Sequence, residues 1–324
     1  MEFGNLKIGN LIIYKENVER LSGMITGYNE QESGVKKQTE GDINIGKEMS
    51  ASTRIGPNRD NQEDAVLIMR RSENPKYKLL CVADGVGGND NGEYASHTAV
   101  EEMKNWFNSL EIEDFQQEEN VIFKLSRALN KIHFTIQGRA MKSKSEEAAA
   151  TTLVCAIVCE NNTYIVNIGD SRAYMLRKGK LKQITRDDSV ANEYYERGYI
   201  KKKDDMRFVK GGNYVMNVLG GPQVSSVAPK ITTCNNNEYD AILLFSDGVT
   251  DCLSDDQIFA VTKWTSKKKL AKKLVEKAIS NTSKRAKRED DQLEFYEEIP
   301  GGKDNTTAAI LFNDDKKGKD KDAR

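Results

Sequence analysis

Histidine is nearly absent: the 324-residue chain has two. An imidazole-rich zinc site is therefore close to excluded, and there are too few histidines to anchor a nucleophilic triad. His97 falls on the helix after a glycine turn and His133 on an amphipathic helix, and both read as structural. Cysteine is also sparse. Cys81, Cys155, Cys159, Cys234 and Cys252 are scattered, odd in number and free of any Cys-x-x-Cys pair. They sit mostly in apolar, strand-like runs, which points to buried reduced thiols in a cytosolic protein. No apolar run approaches the roughly 20 residues of a membrane helix. The opening "MEFGNLKIGN" has no signal-peptide character, so a cytoplasmic location is expected. Charge of one sign is missing too: 49 basic against 50 acidic residues leave a net charge of −1. That sum gives no global reason to expect nucleic acid or a membrane as partner.

Residues 1–48 are polar, and "GYNEQESGVKKQTEGDINIGKE" keeps neither a helical nor a strand period, so the stretch reads as an arm or linker whose first part can form a short hairpin. From about 49 the patterning sharpens. Strands are expected at 65–69, 77–83, 151–159, 163–169, 172–177, 241–246 and 306–312, and helices at 92–109, 119–142, 255–263 and 267–280. Turn signals at "ENN" and "RKGK" make 151–184 read as one antiparallel meander. This order lacks regular βαβ alternation and fits an α+β antiparallel sandwich with helices packed outside. Residues 186–222 are charged and irregular, as suits a mobile flap beside a site. Residues 284–303 read as an exposed loop and 314–324 as a charged, disordered tail, which leaves 49–313 as the main domain.

Apolar strands repeatedly end on a carboxylate: Glu63 and Asp64 in "RDNQEDA", Asp84 in "LLCVADGVGGNDNGEYAS", Asp170 in "NIGDSRAY", Asp247 in "AILLFSDGVTD" and Asp304 in "GKDNTTAAI". One Asp-Gly is an ordinary strand-ending turn. Five segments with the same arrangement suggest convergence on one cleft, where carboxylates repel one another unless cations sit between them. All-oxygen ligation selects hard cations, Mg²⁺ or Mn²⁺ first. A glycine after the Asp leaves the backbone carbonyl free to turn toward such an ion. Arg59, four residues before Glu63, has the planar fork that grips phosphate oxygens; its plainer use is a surface ion pair with Asp60 or Glu63. Two apparent motifs fail. "GDINIGKE" (41–48) has P-loop spacing but Glu48 where Ser or Thr is required, and "DNQEDA" (60–65) starts like a calcium loop but has Ala65 in place of the glycine.

The ordered set "RDNQEDA", "VADGVGGNDNGEYAS", "AATTLVCAIV", "IVNIGDSRAYMLRKGKLKQITRDDS", "NVLGG", "LLFSDGVTD" and "DNTTAAIL" resembles the metal-dependent protein phosphatases of the PPM or type 2C class, in their compact bacterial-like form, over about residues 50–312. The resemblance implies α-β-β-α layers with a flap at 186–222. It implies two Mn²⁺ or Mg²⁺ ions, with Asp84 bridging them and the Gly85 carbonyl joining one. Asp247 and Asp304 would hold the other, Glu63 and Asp64 would act directly or through metal-bound water, and Asp170 would serve a third, weaker site. Arg59 matches the phosphate-binding arginine. Two departures stand out: Val86 and Asn89 replace a histidine that many relatives carry near the Asp-Gly turn, and Asp188 replaces another at the flap entry. The implied activity is hydrolysis of phosphoserine and phosphothreonine in signalling proteins by a water bridging two ions, with Arg59, Asp64 and Asp84 as catalytic residues. Implied partners are a phosphoprotein substrate and a cognate Ser/Thr kinase. The alternatives are a silent phosphatase-like scaffold that binds a kinase or phosphoprotein, and an enzyme of this fold acting on another phosphoester.

Overall fold

In the computed structural model, the described residues are 40–87, 91–143, 149–221, 226–285 and 292–313, together with the backbone of 6–8, 11–14 and 22–25. Asn89 and the tail 314–324 lie outside them. In chain order the elements are β1 (Leu6–Ile8), β2 (Leu11–Tyr14), β3 (Ser22–Ile25), β4 (Gly41–Ile45), β5 (Met49–Arg54), β6 (Asp64–Arg70), β7 (Lys78–Val86), α1 (Asn91–Ser109) and α2 (Glu118–Ser143). Then follow β8 (Ala150–Thr151), β9 (Leu153–Val158), β10 (Asn162–Ile168), β11 (Arg172–Arg177), β12 (Lys180–Gln183), α3 (Val190–Glu196), β13 (Leu219–Gly220) and β14 (Lys230–Asn235). The chain continues through β15 (Ala241–Phe245), α4 (Asp247–Thr250), α5 (Asp255–Trp264), α6 (Lys267–Ser280), β16 (Thr282–Lys284), β17 (Glu298–Pro300) and β18 (Thr306–Phe312).

Two antiparallel sheets stack face to face. One runs β1-β2-β3-β6-β7-β9-β10-β14, with β8 and β13 alongside, and the other β12-β11-β15-β18-β5-β4. The central strands are apolar on both faces because both are covered. Val66, Ile68, Leu80 and Val82 of the first sheet meet Ile43, Ile45, Ile242 and Leu244 of the second between the layers. Their alternate neighbours Leu67, Leu79 and Cys81 pack outward on Ala99, Met103 and Phe107 of α1 and Leu125 and Leu129 of α2. Leu243, Phe245 and Ile310 pack on Leu270, Leu274 and Val275 of α6. Four layers follow from strands whose successive side chains point to opposite, equally dry sides.

Two sequence expectations are corrected. The arm was expected to run to residue 48, but Gly41–Ile45 forms β4 and pairs with β5. Only Ile43 and Ile45 carry its apolar pattern, too short a run to stand out from the polar stretch before it. The expected meander over 151–184 is also not one sheet. β9 and β10 pair in the first sheet, whereas β11 and β12 belong to the second. The chain crosses between them at Gly169, whose φ of +97° is a left-handed conformation that suits glycine. A Cβ there would also lie 2.7 Å from Thr152 Cγ2. That crossover places Asp170 at the rim shared by both sheets.

Candidate active site

Each carboxylate is fixed by a different rigid element, and all are delivered to the same end of the sandwich. Asp64 opens β6 and is the register partner of Asp84 near the end of β7. Asp247 opens α4 directly after β15, and Asp304 sits two residues before β18. Glu63 and Arg59 ride on the β5–β6 loop, where Gly56–Arg59 closes a turn through a 2.8 Å hydrogen bond from Arg59 N to Gly56 O. That loop presses against the Gly302–Asp304 loop so closely that a Cβ on Gly56 would lie 2.4 Å from Asp304 O. Arg59 consequently reaches both neighbours: Nη2 donates to Asp304 Oδ2 at 2.6 Å and Nη1 pairs with Glu63 Oε2 at 3.4 Å. The Glu63 pair is the plain reading anticipated from spacing; the Asp304 pair was not visible in the sequence.

Both Asp-Gly dipeptides have the same steric cause. A Cβ on Gly85 would meet Gly92 O at 2.3 Å and Glu63 O at 2.7 Å, and one on Gly248 would meet Asn305 O at 2.0 Å. The glycines let neighbouring backbones close around the cluster, in addition to any freedom they give a carbonyl. Gly85 N donates to Glu63 O at 3.1 Å, and the Asp84 carbonyl accepts from Thr152 N and Thr151 Oγ1, both at 2.9 Å.

The electrostatics record the convergence. Asp84 is pushed well above the carboxylate range, by burial first and then by Asp247, Asp64, Asp304 and Asp170. Asp247 shifts the same way through burial, Asp304, Asp251 and Asp170. Burial, with Asp304 adding to it, carries Asp64 to about 7 against the pull of its hydroxyl partners. Asp170 rises to about 7 through burial and the repulsion of Asp187 and Asp251. Glu63 also reaches about 7, mainly by burial, although Arg59 pulls it down. In each of these groups burial and neighbouring carboxylates outweigh whatever positive charge lies nearby.

Asp64 is 1% exposed, and its Oδ2 accepts from Ser246 Oγ at 2.8 Å and from Thr307 Oγ1. Thr307 Oγ1 lies 2.6 Å from Thr53 Oγ1, which accepts from Gln62 Nε2 at 2.9 Å. This hydroxyl chain, unanticipated from sequence, locks one Asp64 oxygen and leaves the other unengaged. Asp64 Oδ1, Asp170 Oδ1 and Asp247 Oδ1 are buried without a hydrogen-bond partner. Three orphaned carboxylate oxygens among oxygen-only donors fit hard divalent cations and suit zinc or copper poorly. No three His, Cys, Asp or Glu among the described residues form a closed ligand group; Arg59 ties Glu63 to Asp304 instead.

Asp251 was overlooked. It caps α4 one turn after Asp247, its N–H donating to Asp247 O at 2.7 Å, and it is raised to about 6, chiefly by burial. The i, i+4 spacing in "DGVTD" was the available signal. Asp170, Arg172, Asp187, Arg207, Asp247 and Asp251 help line a cavity of about 30 Å³ beside α3. Arg172 pairs with Asp187 at 2.7 Å in its wall. Between β12 and β13 a small separate core forms from Ala191, Ile200, Met206 and Val209, backed by Leu293 and Phe295. Asp188 is buried against Lys230 and accepts from Asn217 Nδ2 at 3.0 Å. Val86, after the Asp-Gly turn, is exposed and supplies no titratable group. His133 accepts from Gly220 N at 3.1 Å, tying α2 to β13, and the five cysteines are free and buried.

A β-sandwich with helices on both outer faces and a carboxylate cluster at one end defines a class already seen in solved structures. Serine/threonine phosphatase Stp1 from Staphylococcus aureus superposes with a TM-score of 0.68 at 27% identity, covering 85% of this chain and 98% of that one. The family model for protein phosphatase 2C matches residues 57–287, and the chain belongs to that family. Serine/threonine phosphatase stp of Listeria monocytogenes is 28% identical over 267 residues, 81% of this chain and 94% of that protein. PstP of Mycobacterium tuberculosis, a serine/threonine protein phosphatase, is 28% identical over 221 residues; the match takes in 67% of this chain and spans only 41% of that relative's length. The catalytic domain of a PstP, solved in complex with two manganese ions, superposes with a TM-score of 0.62 at 25% identity, covering 82% of this chain and 96% of that one.

Proposed function

We propose that the chain is a Mn²⁺- or Mg²⁺-dependent phosphatase acting on phosphoserine and phosphothreonine in proteins, with a cognate Ser/Thr kinase as its functional counterpart. The observation that carries the reading is the meeting of Asp64, Asp84, Asp170, Asp247 and Asp304 with three buried carboxylate oxygens left unpartnered. Asp84, the Gly85 carbonyl, Asp247 and Asp304 would hold the ions, with Glu63 and Asp64 beside them and Asp170 with Asp251 available to a further one. When bound, such ions would supply Lewis-acid activation of water and positive charge toward the phosphoryl group. The side chains do the rest. Asp64, clamped by Ser246 and Thr307, keeps its free oxygen in one orientation. Arg59, here paired with Asp304 and Glu63, has the planar fork to hold the substrate's phosphate oxygens. No thiol or imidazole here is placed for a covalent phosphoenzyme. The silent-scaffold alternative is weaker, because the carboxylates it would be free to lose are all present.

The test is release of phosphate from a phosphothreonine peptide and from p-nitrophenyl phosphate with Mn²⁺, with Mg²⁺ and with EDTA. Metal-dependent release that survives thiol alkylation supports the reading. No turnover with either ion, despite a folded chain, would leave the scaffold.

A further inference from the structure

The net charge of −1 conceals a local concentration of lysines around the start of α6. α6 lies beside β18 and runs against it. At one end Lys267 Nζ stands 5.0 Å from the Phe312 ring centroid, and Ser50 Oγ donates to Lys267 O at 3.3 Å. At the other, Gly301 N donates to Asn281 O at 2.6 Å, just before Asp304. The seven residues of β18 between these ends span roughly 20 Å. The start of α6 therefore marks the end of the sandwich remote from the carboxylates.

At that remote end α5 finishes in Trp264, which at 83% is the most exposed large apolar side chain among the described residues. Lys263 Nζ lies 5.4 Å from its ring centroid. Lys268, Lys269, Lys272 and Lys273 line the solvent side of the first turns of α6, Lys272 also pairing with Asp42 at 3.0 Å. From 263 to 277 the sequence has seven lysines, one glutamate and no arginine.

We propose that this face docks on an anionic lipid surface, with Trp264 in the headgroup layer and the α6 lysines on the anionic charge. Tryptophan favours that layer because its ring is both apolar and polar. Lysines without arginines suit a diffuse negative plane, since the ammonium is a point charge and lacks the fork that recognises an individual carboxylate or phosphate. The apolar face of α6 (Leu270, Ala271, Leu274, Val275) is already buried in the protein core, so the helix cannot insert and the attachment is peripheral and salt-sensitive. The acidic end is repelled by the same surface. Docking thus leaves the candidate active site facing the aqueous side, toward phosphoprotein segments.

The experiment is co-sedimentation of the full chain with vesicles of phosphatidylcholine alone and mixed with phosphatidylglycerol, at low and high salt. Trp264 emission is followed in a Trp106→Phe background, since the chain has two tryptophans. Expected are phosphatidylglycerol-dependent binding, a blue shift of Trp264 and loss of binding in salt. A triple variant Lys268→Gln/Lys269→Gln/Lys273→Gln should weaken binding by about one to two orders of magnitude, at roughly fivefold per lysine, with an unchanged circular-dichroism melt. Lack of binding to phosphatidylglycerol vesicles, or binding indifferent to the triple variant, overturns the proposal. So does a Trp264 shift produced more strongly by polyglutamate or RNA without vesicles, which would assign the face to an acidic macromolecule. The readout needs no turnover, so its failure is separate from failure of the phosphatase reading.

Discussion

Asp64 and Asp84 oppose one another as register partners on adjacent antiparallel strands. Directly opposed like charges destabilise a sheet unless something between them compensates. Burial at this position raises the cost further, and the rest of the cluster adds to it. The fold thus carries an electrostatic debt at one end that divalent cations relieve, and stability and activity should respond to the same ions.

Replacing Asp84 separates the site from its scaffold. Asp84→Asn keeps shape and removes charge, so turnover of a phosphothreonine peptide should fall by several orders of magnitude, while the metal-free protein melts no lower than the parent. Cys81→Ala, three residues earlier and facing α1, should keep its turnover and cost about 1–2 kcal/mol from the cavity it leaves. Equal activity in the two variants would discard the assignment of Asp84.

Arg59 makes contacts that a substrate phosphate would compete for. Arg59→Ala should raise KM for the phosphopeptide and lower kcat by roughly one order of magnitude, as expected for loss of a bidentate phosphate contact. Mn²⁺ affinity, measured by calorimetry, should be unchanged or tighter, because Asp304 and Glu63 lose a competing cation. Weaker Mn²⁺ binding would instead make Arg59 an organiser of the carboxylates.

The two glycines that follow Asp84 and Asp247 should tolerate no side chain. Gly85→Ala and Gly248→Ala place a Cβ 2.3 Å and 2.0 Å from backbone oxygens that cannot move independently. Each should cost about 2 kcal/mol or more in a denaturant melt. Gly138→Ala, within α2 and facing open space, should raise stability by about 0.5–1 kcal/mol. Equal melts for all three would remove the steric explanation of the Asp-Gly pairs.

What the sequence made legible was set by pattern length. The seven-residue β18 and the long helices α1 and α2 carry enough apolar positions to be read directly. β5 and β14 were missed because Ser50, Ser52 and Thr53 in one and Thr232 and Thr233 in the other break up the apolar pattern. The carboxylates could be read because each abuts a strong strand. Their pairing could not: the Arg59–Asp304 contact joins residues 245 apart, and the Gln62–Thr53–Thr307–Asp64 chain joins three segments through hydroxyl groups that carry no sequence signature. Which sheet β11 entered depended on the left-handed turn at Gly169, and a glycine in sequence does not state its φ.

The pH response of the metal-free protein should run opposite to that of most carboxylate-rich proteins. Glu63, Asp64 and Asp170 are each raised to about 7, and Asp251 to about 6, above ordinary values of 3.8 for Asp and 4.5 for Glu. A carboxyl whose pKa is higher in the folded state holds its proton more tightly there. Its stabilising contribution is complete below about pH 4 and is lost as pH rises through about 7. In EDTA the melting temperature should therefore fall from about pH 5 to about pH 8, by several degrees at roughly 2–4 °C per kcal/mol. Asp64→Asn, which cannot ionise, should flatten part of that slope. Mn²⁺ should act most strongly at the alkaline end, where the carboxylates are charged and repel one another, and should raise the melt there above its acidic value. A metal-free melt that climbs steadily between these pH values would show that the carboxylates are paired by cations of the protein itself, and the case for divalent ions at this end of the sandwich would lose its electrostatic basis.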